Sequence, residues 1–146
     1  GNTAYLGPQS GQVQAVDWRA GETLWTFEDR ERQQPFLTSA AIDRETVLMS
    51  GRDKRVRAIN RTTGRPAWTV TMRGRVEGSP VLVARRVFIG ASDGGLIELD
   101  ADSGDEKSRM ELGAGISASA AIAEDLLVIG TEGGVVYGLG SAPKRR

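Results

Sequence analysis

The sequence predicts an all-β fold, a β-propeller fragment with about three and a half blades of four antiparallel strands each. Three observations lead to this prediction. Small residues recur at a spacing of forty, with a first step three residues longer, apolar residues alternate along short segments, and Gly-rich turns separate these segments. No stretch of the sequence shows a helical apolar period with capping residues.

The repeat is visible in three sets of small residues. One set follows the first apolar triplet of each unit, at Gly7, Ser50, Gly90 and Gly130. A second set precedes the first strand of each unit, at Ser39, Ser79 and Ser119. A third set lies in a turn, at Gly21, Gly64 and Gly104. Three independent sets in one period are a strong sign of a repeat architecture.

Each unit of roughly 40 residues has four apolar stretches, which is the strand count of a propeller blade. The second stretch, such as "VFI" at 87–89, is apolar on consecutive residues and therefore predicts a strand buried on both faces. We expect one domain over 1–146. Its parts are a partial blade at 3–29, complete blades at 36–73 and 77–113, a blade without its outer strand at 117–140, and a tail at 141–146.

A longer frame runs through the third and fourth strands of the units, reading Ala-x-Asp/Asn-x-x-x-Gly-x-x-x-Trp. The matching residues are Asp17, Gly21 and Trp25, then Asn60, Gly64 and Trp68. The third unit keeps Asp100 and Gly104, but Glu98 replaces the Ala and Ser108 takes the Trp position. Together with "SPV" and "VFIGASDGG", this frame resembles the pyrroloquinoline-quinone (PQQ)-like β-propeller repeat family, most closely its non-enzymatic BamB-like branch of outer-membrane assembly lipoproteins.

The resemblance implies that each Trp docks between neighbouring blades and that the complete ring has about eight blades. On this interpretation the chain is the C-terminal half of a larger propeller. Its first and last blades would then expose apolar faces and free strand edges. We therefore expect these surfaces to pair with the remaining half of the propeller or with a second copy of the chain.

Composition excludes several chemistries. The chain has no His and no Cys, and its formal net charge is zero. Sites built on imidazole or thiolate, and a uniformly basic nucleic-acid surface, are therefore not expected. No apolar run approaches the roughly 20 residues of a membrane helix, so direct membrane insertion is not expected either. We assign no catalytic and no cofactor-binding residue.

One acidic stretch is a weak calcium candidate. Asp100, Asp102 and Asp105 in "DADSGD" offer carboxylate oxygens. The stretch lacks the Gly and the Glu of a calcium loop, and it coincides with the ordinary turn of the repeat. The expectation is therefore no metal and no cofactor, with quinone or calcium as the minor alternative.

The charges are distributed unevenly. Segment 52–86 has ten basic and two acidic residues, whereas segment 87–132 has ten acidic and two basic ones. Either the two segments neutralise each other, or they steer charged partners. Arg52, Arg55 and Arg57 are the interface candidates from the basic segment. Trp18 is a further candidate, since no other copy of the repeat has an aromatic residue there.

The function expected from this reasoning is a non-enzymatic scaffold that binds protein partners, which the family resemblance places in the periplasm or cell envelope of a bacterium. Two alternatives stay open at this point. One is the ligand-sensing ectodomain of a signalling protein, and the other is part of a quinone-dependent dehydrogenase with calcium on the propeller axis.

Overall fold

The computed structural model describes residues 1–7, 11–29, 34–36 and 38–140. Within these ranges the chain forms fourteen β-strands. In chain order they are β1 Thr3–Leu6, β2 Gln12–Asp17, β3 Glu22–Glu28, β4 Ala41–Ile42, β5 Thr46–Ser50, β6 Arg55–Asn60, β7 Pro66–Thr71, β8 Val81–Val83, β9 Arg86–Gly90, β10 Gly95–Asp100, β11 Glu106–Glu111, β12 Ala121–Ala123, β13 Leu126–Gly130 and β14 Val136–Gly140. In this part of the chain no helix long and apolar enough to cross a bilayer is present.

The strands form four antiparallel sheets in simple meander order. Blade 1 contains β1–β3, blade 2 contains β4–β7, blade 3 contains β8–β11 and blade 4 contains β12–β14. Every pairing joins strands that follow each other in the sequence. The fold class expected from the repeat, a partial β-propeller with blades of up to four strands, is confirmed. Residues 141–146, expected to form a tail, lie outside the described residues.

The core lies between the blades rather than within them. One apolar cluster joins blade 1 to blade 2 around Val13, Phe36 and Met49. A larger cluster joins blade 2 to blade 3, and a third joins blade 3 to blade 4 around Ile116 and Ile129. We call these three interfaces seam 1, seam 2 and seam 3. Because inner strands such as β5 and β10 face a seam on each side, they are buried along nearly their whole length.

The turns after β2, β6 and β10, in blades 1 to 3, have one construction. The side chain of Asp17 accepts hydrogen bonds from the N–H groups of Arg19 and Ala20, at 2.9 and 3.0 Å. Asn60 and Asp100 make the same pair of bonds in blades 2 and 3. A short side-chain acceptor satisfies the turn in this way. The glycine four residues later has a φ between 70° and 77°, which favours Gly.

A second repeated contact runs across the seams. The backbone N–H of Ser39 donates to the hydroxyl of Ser79 at 2.8 Å, and the N–H of Ser79 donates to the hydroxyl of Ser119 at 2.8 Å. We call this the serine ladder. It joins blade 2 to blade 3 and blade 3 to blade 4 at equivalent positions, so the regular spacing of these serines in the sequence has a bonding role.

Candidate functional site

Trp25 of blade 1 and Trp68 of blade 2 lie in the seams. The indole Nε1 of Trp25 donates to the backbone carbonyl of Arg61 in blade 2 at 2.8 Å. The ring lies so close to Gly64 that a Cβ atom there would approach it to 2.8 Å. Tyr5 covers Trp25 from within blade 1, with 5.9 Å between the ring centroids. The ring is therefore held by other residues of the chain itself.

Trp68 repeats this arrangement at seam 2. Its Nε1 donates to the carbonyl of Ala101 at 3.0 Å, and its ring lies against Gly104. Each Trp also faces an alanine across its own blade, Ala15 opposite Trp25 and Ala58 opposite Trp68. The small alanine leaves room for the indole beside it. The two residues thus join blades, and this arrangement leaves the rings little surface for a ligand.

Seam 3 differs because Ser108 takes the Trp position and Glu98 lies opposite it. The Ser108 hydroxyl donates to Glu98 Oε2 at 2.7 Å, and Arg86 Nε donates to Glu98 Oε1 at 2.6 Å. The hydrogen bond from Arg86 lowers the pKa of Glu98, and the same contact raises the pKa of Arg86. A polar cluster therefore replaces the indole. A different aromatic contact crosses this seam, where the Tyr137 hydroxyl donates to the Leu112 carbonyl at 3.0 Å.

Among the described residues, an open cleft of about 460 Å³ lies beside Ser108, between blades 3 and 4. We call it the seam-3 cleft. Phe88, Leu96 and Leu139 contribute to its apolar walls, and Glu98 and Ser108 lie in it. Glu124 and Asp125 of the β12–β13 turn border it. The sequence signalled the missing Trp at Ser108, but it did not show that a cleft results.

Arg57 is placed differently from the sequence expectation. It was proposed as an interface residue, but its side chain is 1% exposed in seam 1. The guanidinium bonds Asp29 at 2.5 Å and Asp53 at 3.3 Å, and it stacks on the Phe36 ring at 5.2 Å. Burial lowers the pKa of Arg57, but the bonds to Asp53 and Asp29 outweigh burial and raise it. Arg57 is therefore buried between two carboxylates from separate parts of the chain, and its role as an interface residue stays a prediction.

The other three interface candidates lie nearer the surface. Arg55 pairs with Asp29 at 3.1 Å and is largely covered. Arg52 is exposed and pairs with Glu77 at 2.8 Å. Trp18 is 59% exposed, with the Arg19 guanidinium 5.1 Å from its ring centroid. An interface role for these residues stays a prediction, and Trp18 has the most accessible apolar surface of the three.

The charge asymmetry is partly neutralised within blade 3. Arg85 pairs with Asp102 at 3.0 Å, and Arg86 pairs with Glu98 at 2.6 Å, so both pairs join the basic segment to the acidic one. Lys54, between β5 and β6, is exposed, as are Arg73 and Arg75, which follow β7. The Lys54 Nζ donates to the backbone carbonyl of Arg73 at 3.0 Å. The observed pairs support mutual neutralisation near blade 3, while this small basic patch stays open to solvent.

The three carboxylates of the weak calcium candidate point to different partners. Asp100 caps its own turn, Asp102 pairs with Arg85, and Asp105 accepts from Ser103 Oγ at 2.7 Å. The bonds from the turn lower the pKa of Asp100, chiefly the backbone bond from Ser103. Among the described residues, no three His, Cys, Asp or Glu side chains form a group that could hold a metal ion.

Meander blades joined by repeated Trp and Gly contacts define the class of PQQ-like repeat propellers. Residues 9–143 match the family model described as outer membrane protein assembly factor BamB, and the chain belongs to this family. The outer membrane protein assembly factor BamB of Burkholderia pseudomallei is 31% identical over 132 residues. That match covers 88% of this chain and 33% of the relative, so the chain spans about a third of the length of that relative.

Solved structures show the same architecture. The crystal structure of BamB from Moraxella catarrhalis superposes with a TM-score of 0.84 at 25% identity, covering 96% of this chain and 43% of that one. A quinohemoprotein alcohol dehydrogenase from Pseudomonas putida HK5 superposes with a TM-score of 0.76 at 21% identity, covering 89% and 27% of the two chains. The second likeness is one of fold alone.

Proposed function

We propose that this chain is part of a non-enzymatic protein-binding scaffold of the bacterial cell envelope that takes part in outer-membrane protein assembly. The observation that carries the proposal is the family match over residues 9–143. A BamB-like scaffold would work on the periplasmic side of the outer membrane, would bind other proteins and would need no cofactor. The remainder of the propeller would complete the ring.

The use of side chains in the described blades supports this proposal. The repeated Trp, Asp or Asn, and Gly residues bond turns and seams, so they serve the architecture. The surface left to partners consists of exposed turn residues such as Trp18 and Arg52, together with the seam-3 cleft. A rigid ring that presents turns and clefts is suited to holding proteins in position.

The proposal is tested in the bacterium that carries the gene, using the full-length protein. Deleting the gene is expected to lower the amount of folded outer-membrane β-barrel proteins, measured by heat-modifiable mobility on gels. A plasmid copy is expected to restore it. Unchanged levels of folded barrel proteins in the deletion strain would overturn the proposal.

The dehydrogenase alternative has a separate assay. The likeness to the quinohemoprotein enzyme is 21% identity and concerns the fold. Full-length protein is mixed with the quinone and calcium, and dye-linked alcohol oxidation is followed alongside the melting temperature. The scaffold proposal predicts neither oxidation nor a raised melting temperature. Turnover in this assay would favour the enzyme.

A further inference from the structure

We propose that the seam-3 cleft binds an aromatic side chain of a protein partner that carries a positive charge next to that side chain. The proposal rests on the proposed function in one respect, namely that the ligand belongs to a protein partner. It names the site on this chain and the chemistry of the segment bound.

The shape of the cleft comes from the repeat itself. At seams 1 and 2 the corresponding space holds the indole of Trp25 or Trp68. At seam 3 the side chain at that position is Ser108, which occupies a small part of an indole's volume. The space that remains, about 460 Å³, is large enough for an indole ring.

The walls of the cleft are apolar and open to solvent. Val83, Met110, Ile122 and Leu126 line it, and each has 36% or more of its surface exposed. They are four of the ten large apolar side chains that are exposed in the described part of the chain. Exposed apolar side chains collected in one concave place mark a binding surface.

The charges around the cleft determine the sign of the charge that we expect on the ligand. Glu98 is bonded to Arg86, so this pair is neutral as a unit. Glu124 and Asp125 at the border add two exposed carboxylates. The described residues that line the cleft therefore carry a net charge of minus two, and an aromatic group with a neighbouring cation complements it.

Tryptamine is a suitable probe, because it joins an indole to an ammonium group. The complete chain, labelled with ¹⁵N, is titrated with tryptamine, and the amide shifts are followed by NMR. Indole-3-acetate, which has the same ring and a negative arm, is the matched control ligand. We expect shifts centred on Phe88, Leu127 and Leu139, and an affinity about fivefold higher for tryptamine than for indole-3-acetate.

Two variants check the location. Ser108→Trp fills the cleft and is expected to abolish the shifts. The double variant Glu124→Gln with Asp125→Asn changes only exposed turn side chains and is expected to remove the preference for tryptamine. Glu132→Gln, at the opposite end of blade 4, is its control and should leave the preference unchanged.

Equal affinity for the two ligands, or shifts centred elsewhere, would overturn the proposal, as would no binding at all. The titration uses this chain alone and the assembly assay uses whole cells. Failure of one is therefore distinguishable from failure of the other.

Discussion

Gly104 of blade 3 lies directly against the indole ring of Trp68 in blade 2. A Cβ atom added at Gly104 would approach ring atoms Cδ2 and Cε3 to 2.7 Å. The glycine also has a φ of 77°, so two separate constraints act on one position. Gly64 is placed in the same way against Trp25, with a φ of 70°.

The chain offers a matched test that separates these constraints. Gly21 holds the same place in blade 1 with a φ of 72°, but nothing lies within 4 Å of a Cβ built there. Gly21→Ala should therefore lower the free energy of unfolding only through the cost of a positive φ at alanine, about 1 kcal/mol. Gly104→Ala should also displace Trp68, and it should lower the free energy of unfolding by about 3 kcal/mol in total. The free energy of unfolding in urea measures both, and equal losses would show that the Trp contact contributes nothing.

Seam 3 can be converted to the pattern of seams 1 and 2. Ser108→Trp alone fills the seam-3 cleft but removes the hydrogen bond that Ser108 donates to Glu98, so we expect little net change in the free energy of unfolding. Glu98→Ala combined with it restores the Ala–Trp pair found at Ala15 and Trp25. In a double-mutant cycle we expect a favourable coupling of about 1–2 kcal/mol. A coupling of zero would mean that the two positions act independently.

The Arg86–Glu98 pair of blade 3 should also contribute less stability in acid. Because Arg86 lowers the pKa of Glu98 below its ordinary value of 4.5, the folded state holds this proton less tightly than the unfolded state. The contribution of Glu98 to stability is therefore present above pH 4.5 and is lost as the pH falls through its lowered folded-state pKa. Glu98→Gln should reduce the loss of stability between pH 7 and pH 3 by on the order of 1 kcal/mol.

Urea midpoints across this pH range provide the measurement for Glu98. Glu132→Gln removes an exposed carboxylate from the far end of blade 4 and is the control. If the two variants show the same pH profile, the Arg86–Glu98 contact has no special part in acid stability.

The buried cluster at seam 1 makes a different prediction. Arg57→Met should lower the free energy of unfolding by about 3 kcal/mol, because it removes the guanidinium from the Asp53 carboxylate, which is only 3% exposed. Adding Asp53→Asn should recover part of this loss, since the amide carbonyl can still accept from the Arg55 N–H, a bond of 3.1 Å. A further loss in the double variant would contradict this interpretation. Thermal unfolding of the wild-type chain and of the two variants, followed by circular dichroism, measures these changes in stability.

The repeat made the blades predictable from the sequence, because a period of forty places equivalent residues in equivalent strands. The turn chemistry of Asp17 and Asn60 could also be expected, since a short acceptor before a tight turn bonds nearby N–H groups. Both features are local or periodic, so they can be inferred from the spacing of residues in the sequence.

The burial of Arg57 could not be predicted in this way. Its position is occupied in blade 3 by Ile97, and its partner Asp29 comes from the end of β3, in another blade. The excess of basic residues in segment 52–86 made Arg57 an interface candidate, whereas the packing of two blades decides its environment. The seam-3 cleft is a similar case, because it needs side chains from four strands of blade 3 and from the next blade.

The serine ladder gives the blade array a direction. Each contact takes a backbone N–H from the earlier blade and a hydroxyl oxygen from the later one, from Ser39 to Ser79 and from Ser79 to Ser119. The two sides of a blade are therefore different, and a blade added through this contact can join only head to tail. Head-to-tail contacts of this kind close into a ring when the rotation from blade to blade divides a full turn evenly, and otherwise they continue as an open helix.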